Sequence, residues 1–469
     1  MFVKEPTPPP PERQLPCPAA RARRAVAAPP TALACLVAFA VLFGRDAAAA
    51  ESPGAAGTDE TFALHGQFTY VEQETAAFND PYRGSNSLSP DSGRETIDDT
   101  LYVGRKLWTG GEVWFNAEID QGFGLDNTLG AAGFPSGEAY KVGKKEPYLR
   151  LSRAFIRQTV NLGGSAQRGD PAQNQLGATI TADRLVLTIG KFGVADVFDT
   201  NQYAHDPRAD FLNWSVLDAA TFDYAADAWG YTIGAAAEWY TGPWTVRAGA
   251  FDLSDVPNSP HLEPGAHEFQ LVLELERRFD VAGRAGRLLL TAFDSRARMG
   301  LLDEAVDLSE STGQPVDVAA VRHFRSRTGV HASLEQQISG DLGVFARVGG
   351  ASGNVEVYEF TDADRTSAAG LSIKGSRWNR AADRVGAAVV VNKISAQRQQ
   401  FLDAGGLGLL IGDGRLPHPG AERILESYYD FNPFSAAHIS IDYQRIVNPA
   451  YNRDRGPVSV FTVRLHAQF

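Results

Sequence analysis

Cysteine is almost absent from this 469-residue chain, and both copies, Cys17 and Cys35, lie in the first fifty residues. Residues 51–469 therefore contain no thiol, which excludes a disulfide framework and a cysteine-based zinc site from that part. Long apolar runs are missing too. No stretch in the second half of the chain reaches the roughly 18 apolar residues that a membrane-spanning helix needs. If the chain crosses a membrane, it must do so with strands.

Basic side chains are fewer than acidic ones. Residues 1–50 hold six of the 44 Lys and Arg and three of the 56 Asp and Glu, which leaves 38 basic and 53 acidic side chains, a net charge of −15. An acidic protein does not offer the basic face that nucleic acid requires, so we predict no nucleic-acid partner. No Gly-rich phosphate loop, nucleophile elbow or helical metal-binding His pair is found. We predict no enzymatic activity, cofactor or metal site, with a barrel-embedded hydrolase as a minor alternative.

The first fifty residues have the pattern of an export signal. The basic cluster Arg21, Arg23 and Arg24 precedes an apolar run from Thr31 to Phe43, and small residues follow at Ala47–Ala50. The run of about 13 residues is short for a spanning helix and typical of a signal peptide, and the small residues suit its cleavage. An uncleaved N-terminal anchor is the alternative. We divide the chain into a signal peptide at 1–50, a short extension at 51–60 and one barrel domain at 61–469.

From Thr61 onward, apolar and polar residues alternate. In the last segment Phe461, Val463, Leu465, Ala467 and Phe469 share one side, whereas Thr462, Arg464, His466 and Gln468 share the other. Strands of an outer-membrane barrel alternate in this way, with apolar side chains towards lipid and polar ones towards a wet lumen. One alternating strand does not distinguish a membrane barrel from a soluble sheet, because soluble sheets alternate as well.

The number of strands and the lengths of their connections are stronger evidence for a membrane barrel. We place sixteen strands near 61–70, 100–108, 112–120, 148–160, 184–191, 228–239, 244–252, 267–279, 287–295, 327–338, 342–350, 367–375, 384–393, 423–431, 437–447 and 457–469. Long and short connections alternate, as they do in outer-membrane barrels. Segment 161–183 is an exception, long where a short turn is due, and is either a ragged turn or a missed strand pair. We predict an all-β, transmembrane antiparallel barrel of about sixteen strands.

Aromatic residues cluster beside the turns, where interfacial girdles belong. The residues that we assign to these girdles are Trp108, Trp114, Trp229, Trp239, Tyr240 and Trp244.

The third long connection is rich in polar and aromatic residues between Asp196 and Trp214. Carboxylate, amide and guanidinium groups match sugar hydroxyls, and aromatic rings suit apolar sugar faces. We expect this loop to fold into the barrel and narrow it. A solvated external loop is the alternative, and a calcium site made by Asp196, Asp199, Asp206 and Asp210 is a weaker one.

At these residues the chain resembles the carbohydrate-selective outer-membrane porin family. The matching stretches are Gly190–Phe192 with Asp196–Trp214, Asp223–Asp227, Gly405–Gly408 with Ile411–Gly414, Asn448–Pro457 and Leu465–Phe469. The resemblance implies a sixteen-stranded diffusion channel in the cell outer membrane for mono- and oligosaccharides, with a constriction of charged and polar side chains. It also implies that Phe469 is a signal for the barrel-assembly machinery.

We predict that eleven residues line the pore or bind the permeating sugar. They are Glu118, Asp120, Arg247, Arg347, Asp442 and Arg464 on the wall, and Asp199, Asn201, His205, Asp206 and Arg208 in the loop. Opposed charges there set a transverse field that favours uncharged, dipolar solutes. Lipid and lipopolysaccharide are the expected surroundings, and assembly as a homo-oligomer is left open. A general or cation-preferring porin, a barrel-borne enzyme and a surface receptor are the competing functions.

Overall fold

The computed structural model describes residues 59–90, 93–139, 143–434 and 436–469. The predicted signal peptide 1–50 and most of the extension 51–60 lie outside these residues. Sixteen antiparallel strands close into one barrel, in which each strand pairs with its neighbours in sequence and the first pairs with the last. The predicted fold class and strand number are confirmed.

The strands are β1 (Phe62–Thr75), β2 (Gly93–Trp108), β3 (Gly111–Gly122), β4 (Lys144–Gly169), β5 (Ala178–Phe192), β6 (Thr232–Thr241), β7 (Trp244–Asp252), β8 (Phe269–Val281), β9 (Arg284–Met299), β10 (His323–Gln337), β11 (Leu342–Ala351), β12 (Arg365–Gly375), β13 (Arg380–Lys393), β14 (Glu422–Phe434), β15 (Ala437–Val447) and β16 (Val458–Gln468). Helices α1 (Trp214–Leu217), α2 (Leu302–Thr312) and α3 (Ala396–Asp403) lie in connections. In the described part of the chain, no helix is long and apolar enough to span a membrane.

Long and short connections lie at opposite ends of the barrel. The turns 109–110, 242–243 and 282–283 are tight, whereas 193–231 and 394–421 are long. Since short turns mark the periplasmic end of such barrels, the start of β1 and the end of β16 lie at that end. The long connections face the cell exterior.

Segment 161–183 proves to be neither a ragged turn nor a missed strand pair. It continues β4 and β5 as one long hairpin, which we call the periplasmic hairpin, and residues 170–177 form its tip. Its strands carry little apolar alternation because they leave the barrel wall after Asn161 and have no side that faces lipid.

The outer face is apolar, as the alternation predicts. Exposed apolar residues on it include Leu101, Phe115, Ile119, Leu149, Leu151, Ile189, Ile233, Leu271, Leu273, Val330, Val348, Val389, Leu425, Ile441, Phe461 and Val463. Between them on the same strands lie buried polar residues such as Asn116 on β3 and Arg464 on β16.

The predicted aromatic girdles are only partly correct. Trp108, Trp239 and Trp244 are exposed near strand ends. Trp114 is instead fully buried inside the barrel, because it shares the inward parity of Asn116 and Glu118 on β3. Trp229 lines an internal cavity, and Tyr240 lies on the inward side of β6 beside Arg247.

The lumen is partly filled by the third long connection, residues 193–231, which we call the constriction loop. The Phe211 ring contacts Phe345 of β11 and Tyr428 of β14, at centroid distances of 5.6 and 5.0 Å. The Trp214 ring stacks on Phe134 at 5.1 Å. Such aromatic pairs contribute about 0.5–1.5 kcal/mol each beyond their burial, and they place the loop against one side of the wall.

Candidate functional site: the channel interior

Carboxylates on the inner wall bind the backbone of the constriction loop. The pairs, each a loop N–H donating to a wall carboxylate, are Asp199 with Glu274 (2.8 Å), Gln202 with Glu335 (2.8 Å) and Leu212 with Glu426 (2.5 Å). Hydrogen bonds to charged groups contribute about 1.5–3 kcal/mol each. Glu274 lies between the outward-facing Leu273 and Leu275 of β8, so alternation assigns it to the inner side, but alternation gives no sign that a loop covers it.

Wall arginines bind the same loop through its carbonyl groups. Arg347 donates to the carbonyl oxygens of Ala204 (2.9 Å) and Val216, and its side chain is fully buried. Arg464 donates to the Asp210 carbonyl oxygen at 2.9 Å. Both arginines point into the barrel, as the alternation predicts, but the loop separates them from the open space.

Asp199 lies at the centre of this contact. Its carboxylate is 3.4 Å from both His331 Nε2 and Arg347 Nε, and it accepts the Ala219 N–H at 2.6 Å. Its backbone is left-handed, with φ of 54°, a conformation that Asp tolerates better than most residues. Asn201 donates to the Ser333 hydroxyl at 3.3 Å.

Arg247 and Asp442 are also enclosed. Arg247 is surrounded by the carboxylates of Glu238, Glu274 and Glu276 at 2.7–3.1 Å, and Asp442 is buried next to Gln444. Six of the eleven predicted pore residues lie in the barrel interior but do not line the open cavity described next. They are Asp199, Asn201, Arg247, Arg347, Asp442 and Arg464.

An open cavity of about 500 Å³ lies between the constriction loop and the wall formed by β2–β6. Five of the predicted residues line it, namely Glu118, Asp120, His205, Asp206 and Arg208. Other chemically important lining residues are Asp98, Tyr102, Arg150, Arg153 and Tyr231, which were not predicted, and Trp229, which was predicted as a girdle residue instead.

A β-bulge explains why Arg153 was missed. The pairing of β3 with β4 shifts between Asn116 and Ala117, where Asn116 pairs with Arg153 and Ala117 with Leu151. An extra residue of this kind reverses the sides that strict alternation assigns beyond it. Arg150 lies before the bulge, so strict alternation assigns it correctly to the inner side. Beyond that inward position, the sequence gave no sign of its role in the site.

Basic and acidic groups are paired around the cavity. Arg150 binds both Glu118 and Asp120, the latter at 2.5 Å between Nε and Oδ2. Arg208 lies 3.3 Å from Asp98 and 3.1 Å from Glu138. The acidic partners lie deeper than the guanidinium groups, so the arginines are the more accessible charges.

The rings of Tyr231 and Trp229 lie beside Arg150, and Tyr231 also lies beside Arg153. The Arg150 and Arg153 guanidinium groups are 4.9 and 4.8 Å from the centroid of the Tyr231 ring. The Tyr231 hydroxyl donates to Glu118 at 3.1 Å, and Trp229 Nε1 donates to the Tyr148 hydroxyl at 2.8 Å. These contacts fix the orientation of the rings that border the cavity.

Carboxylate oxygens of Asp98, Glu118 and Asp120 lie within 4.8 Å of one another, close enough to share a cation among the described residues. Arg150 and Arg208 already neutralise them. The acids weighed for calcium do not converge, because each has a different partner. Asp196 contacts Arg153, Asp199 contacts Arg347, Asp206 contacts Arg208 and Asp210 contacts Arg384.

His205 and Asp206, which lie in the loop and line the cavity, have shifted pKa values. Burial alone would lower the pKa of His205, but the hydrogen bond and charge of Asp218 outweigh it and raise the pKa to about 9. Burial would raise the pKa of Asp206, but the charge of Arg208 and its backbone N–H lower it. Near neutral pH both side chains are therefore ionised.

Comparison with known proteins supports this architecture. The sequence model of the family described as carbohydrate-selective porin, OprB family, matches residues 86–469. A comparison with curated protein sequences finds no match to the chain.

Several solved structures are similar to the barrel. A high-pH structure of Pseudomonas putida OprB matches with a TM-score of 0.66 at 16% identity, over 87% of this chain and 94% of that one. Its low-pH structure matches with a TM-score of 0.48 at 13% identity, over 87% and 93%. The outer membrane channel DcaP of Acinetobacter baumannii matches with a TM-score of 0.46 at 11% identity, over 88% and 99%.

At 16% identity, the likeness to the Pseudomonas putida OprB structure shows a shared fold. Membership of the family is shown by the family model, which matches most of the chain. The family is one of porins rather than enzymes. The chain belongs to the OprB family of carbohydrate-selective porins and is an outer-membrane channel protein.

Proposed function

We propose that this porin lets mono- and oligosaccharides diffuse across the outer membrane through the cavity between the constriction loop and β2–β6. The observation that supports this most is the arrangement of Arg150 and Arg153 around the Tyr231 ring, with Glu118 and Asp120 behind them. Guanidinium groups offer several N–H donors to hydroxyl oxygens, and an aromatic ring offers a flat apolar surface. A sugar ring presents both kinds of surface.

Arg150, Arg153, Asp206, Arg208 and Tyr231 are the residues that we expect to contact the solute. Asp206 has the most accessible side chain of the charged residues named here, with 51% exposed. Its carboxylate supplies acceptors, whereas Arg208 supplies donors. A hydroxyl group, which both donates and accepts, can bind to both.

The paired charges also suit an uncharged solute. Each guanidinium group lies next to a carboxylate. An ion that one of these groups attracts is repelled by the other, so it gains little binding energy. A dipolar solute can align with the field between them. We therefore propose selectivity for neutral sugars rather than for cations, despite the acidic composition of the chain.

Asp199, Asn201, Arg247, Arg347, Asp442 and Arg464 have a supporting role in this proposal. They position the constriction loop or the wall and act on the solute only through that position. Glu118 and Asp120 act mainly through Arg150, because their side chains are nearly inaccessible.

For Phe469 we propose recognition by the barrel-assembly machinery before the barrel closes. In the closed barrel its backbone exchanges hydrogen bonds with Gly66, at 3.0 and 3.2 Å. A free C-terminal strand would offer the same groups to an assembly factor by strand pairing. Lipid and lipopolysaccharide would then surround the apolar outer face.

Planar-bilayer recording on the purified protein tests the proposed function. We expect steady single-channel current that glucose, maltose and maltotriose reduce in a concentration-dependent way. In the double variant Asp206→Ala/Arg208→Ala, loss of hydrogen bonds of about 1.5–3 kcal/mol each should weaken the sugar effect roughly tenfold or more. Arg365→Ala, on the exposed side of β12, is the matched control and should behave as wild type.

Each other outcome identifies a competing function. Current that is indifferent to sugars would indicate a general porin, and a strong preference for cations would indicate a cation channel. A folded protein without current would favour a receptor. An unchanged sugar effect in the double variant would remove Asp206 and Arg208 from the proposed contact set.

A further inference from the structure

The periplasmic hairpin bends at a pair of glycines. The pairing of β4 with β5 shifts between Asn161 and Gly163 and again between Gly163 and Ala166. Gly163 and Gly164 have φ values of 140° and 80°, which residues with a side chain rarely adopt. The hairpin therefore changes direction where it leaves the barrel wall.

Beyond the bend, the tip lies inside the barrel opening. The Leu176 side chain is buried in the same cluster as the inward-facing Tyr102 and Trp114. The Leu176 N–H donates to Glu112 of β3 at 2.8 Å, and the Gly177 N–H donates to Glu60 at 2.7 Å. Apolar burial and charged hydrogen bonds thus fix one side of the tip.

The other side of the tip reaches across the opening to the strands that close the barrel. Gln173 Nε2 lies 3.0 Å from Gln67 Oε1 on β1 and 3.5 Å from Gln468 Oε1 on β16. The contacts of the tip extend across four adjacent strands, β3, β2, β1 and β16, from Glu112 to Gln468. The tip therefore covers part of the barrel opening on this side.

The tip also forms part of the cavity itself. Residues 172–175 line the same space as Arg150 and Arg208. Ala172 and Gln175 exchange backbone hydrogen bonds of 3.1 Å, which makes Gln173 and Asn174 the two residues of a tight turn. The Gln173 side chain is exposed, whereas the Asn174 side-chain oxygen is buried in the cavity wall without a hydrogen-bond partner among the described residues.

We propose that the tip, residues 170–177, is a second solute-contact site that sets the size limit at the periplasmic exit, with Gln173 and Asn174 as its contact residues. This inference rests on the proposed function and extends it. The chemistry at the turn of the tip differs from that of the central cavity, since the side chains of Gln173, Asn174 and Gln175 are neutral amides. Amides donate and accept hydrogen bonds without attracting ions, so a sugar moves from a charged site to a neutral one as it leaves.

Shortening the hairpin tests the inference. Because Asn161 and Arg184 are paired across the two strands, residues 162–183 can be replaced by an Asn-Gly turn that restores a short periplasmic connection. We expect this variant to have higher single-channel conductance. In liposome-swelling assays, it should admit longer maltodextrins than wild type does.

Two point variants keep the hairpin at full length. Leu176→Asp places a charge in the buried cluster and should release the tip, with the same effects as the shortened hairpin. Gln173→Ala/Asn174→Ala should weaken the sugar-induced reduction of current while conductance through the central cavity persists. Gln167→Ala, on the exposed stem of the hairpin, is the control and should change neither.

The outcomes separate this inference from the function on which it rests. If sugars do not affect wild-type current, the proposed function itself fails. If they do, but Leu176→Asp and the shortened hairpin keep the wild-type conductance and size limit, the tip is not part of the pathway. Retained heat-modifiable migration on gels confirms that each variant is folded.

Discussion

Replacing Arg347 by methionine should release the constriction loop while the barrel stays closed. Methionine keeps an unbranched apolar side chain similar to the aliphatic part of arginine but removes the guanidinium group and every donor. In the native protein Arg347 binds carbonyl groups of the loop at Ala204 and Val216 and lies 3.4 Å from the Asp199 carboxylate. Arg347 and Asp199 are both fully buried, so water cannot replace the lost contacts without opening the structure.

The size of the effect follows from this burial. Removing one partner of a buried ion pair costs about 3–5 kcal/mol. The sixteen strand pairings are not touched, so the cost falls on the local docking of the loop rather than on global unfolding. At 1.4 kcal/mol per factor of ten, the open form of the loop should become roughly 10²–10⁴ times more populated.

Two assays can detect this change. Single-channel recordings of Arg347→Met should show frequent fluctuations towards higher conductance, and hydrogen exchange should accelerate at the amides of residues 199–217. Arg365→Met, which removes an exposed arginine from the outer side of β12, is the control. Wild-type current noise together with wild-type amide protection in Arg347→Met would refute the conclusion that Arg347 positions the loop.

Two further predictions concern the loop and the outer face. The pKa of His205 is raised to about 9, above its ordinary value of about 6.5, so its ionic contact with Asp218 is complete below pH 6.5 and is lost as pH rises through 9. Current noise should therefore increase between pH 8 and 10, and His205→Gln should abolish this dependence; identical pH profiles would contradict it. On the outer face, Val330→Arg, at the middle of β10, should lower the free energy of unfolding by about 2–4 kcal/mol, against about 0–1 kcal/mol for Phe324→Arg near the strand end. Urea titration in lipid vesicles measures both, and equal costs would show that the two sites do not differ in membrane depth.

Much of the fold follows from local sequence patterns. Alternation along Phe461–Phe469 and along Val113–Asp120 identifies strands, because lipid and water each select one side. The tight turns at 109–110 and 242–243 then fix which strands pair. The periplasmic hairpin escaped this reasoning, because strands that are not part of the barrel wall need no apolar side and Gly163–Gly164 resembles a turn.

The site was less predictable than the fold. Alternation tells which side of the wall Arg347 and Arg464 occupy, but not whether water or a loop covers them. That depends on contacts between residues more than a hundred positions apart, such as Arg347 with Val216. The bulge near Arg153 could not be predicted for the same reason, because it is defined only by the pairing of β4 with β3.

The way in which the wall binds the constriction loop has a consequence for how such channels diverge. Glu274, Glu335 and Glu426 accept backbone N–H groups, and Arg347 donates to backbone carbonyls. Every amino acid supplies the carbonyl, and every one except proline supplies the N–H. Mutations can therefore exchange the loop side chains that face the solute without disturbing its attachment. New sugar preferences can evolve, or be engineered, on an unchanged barrel.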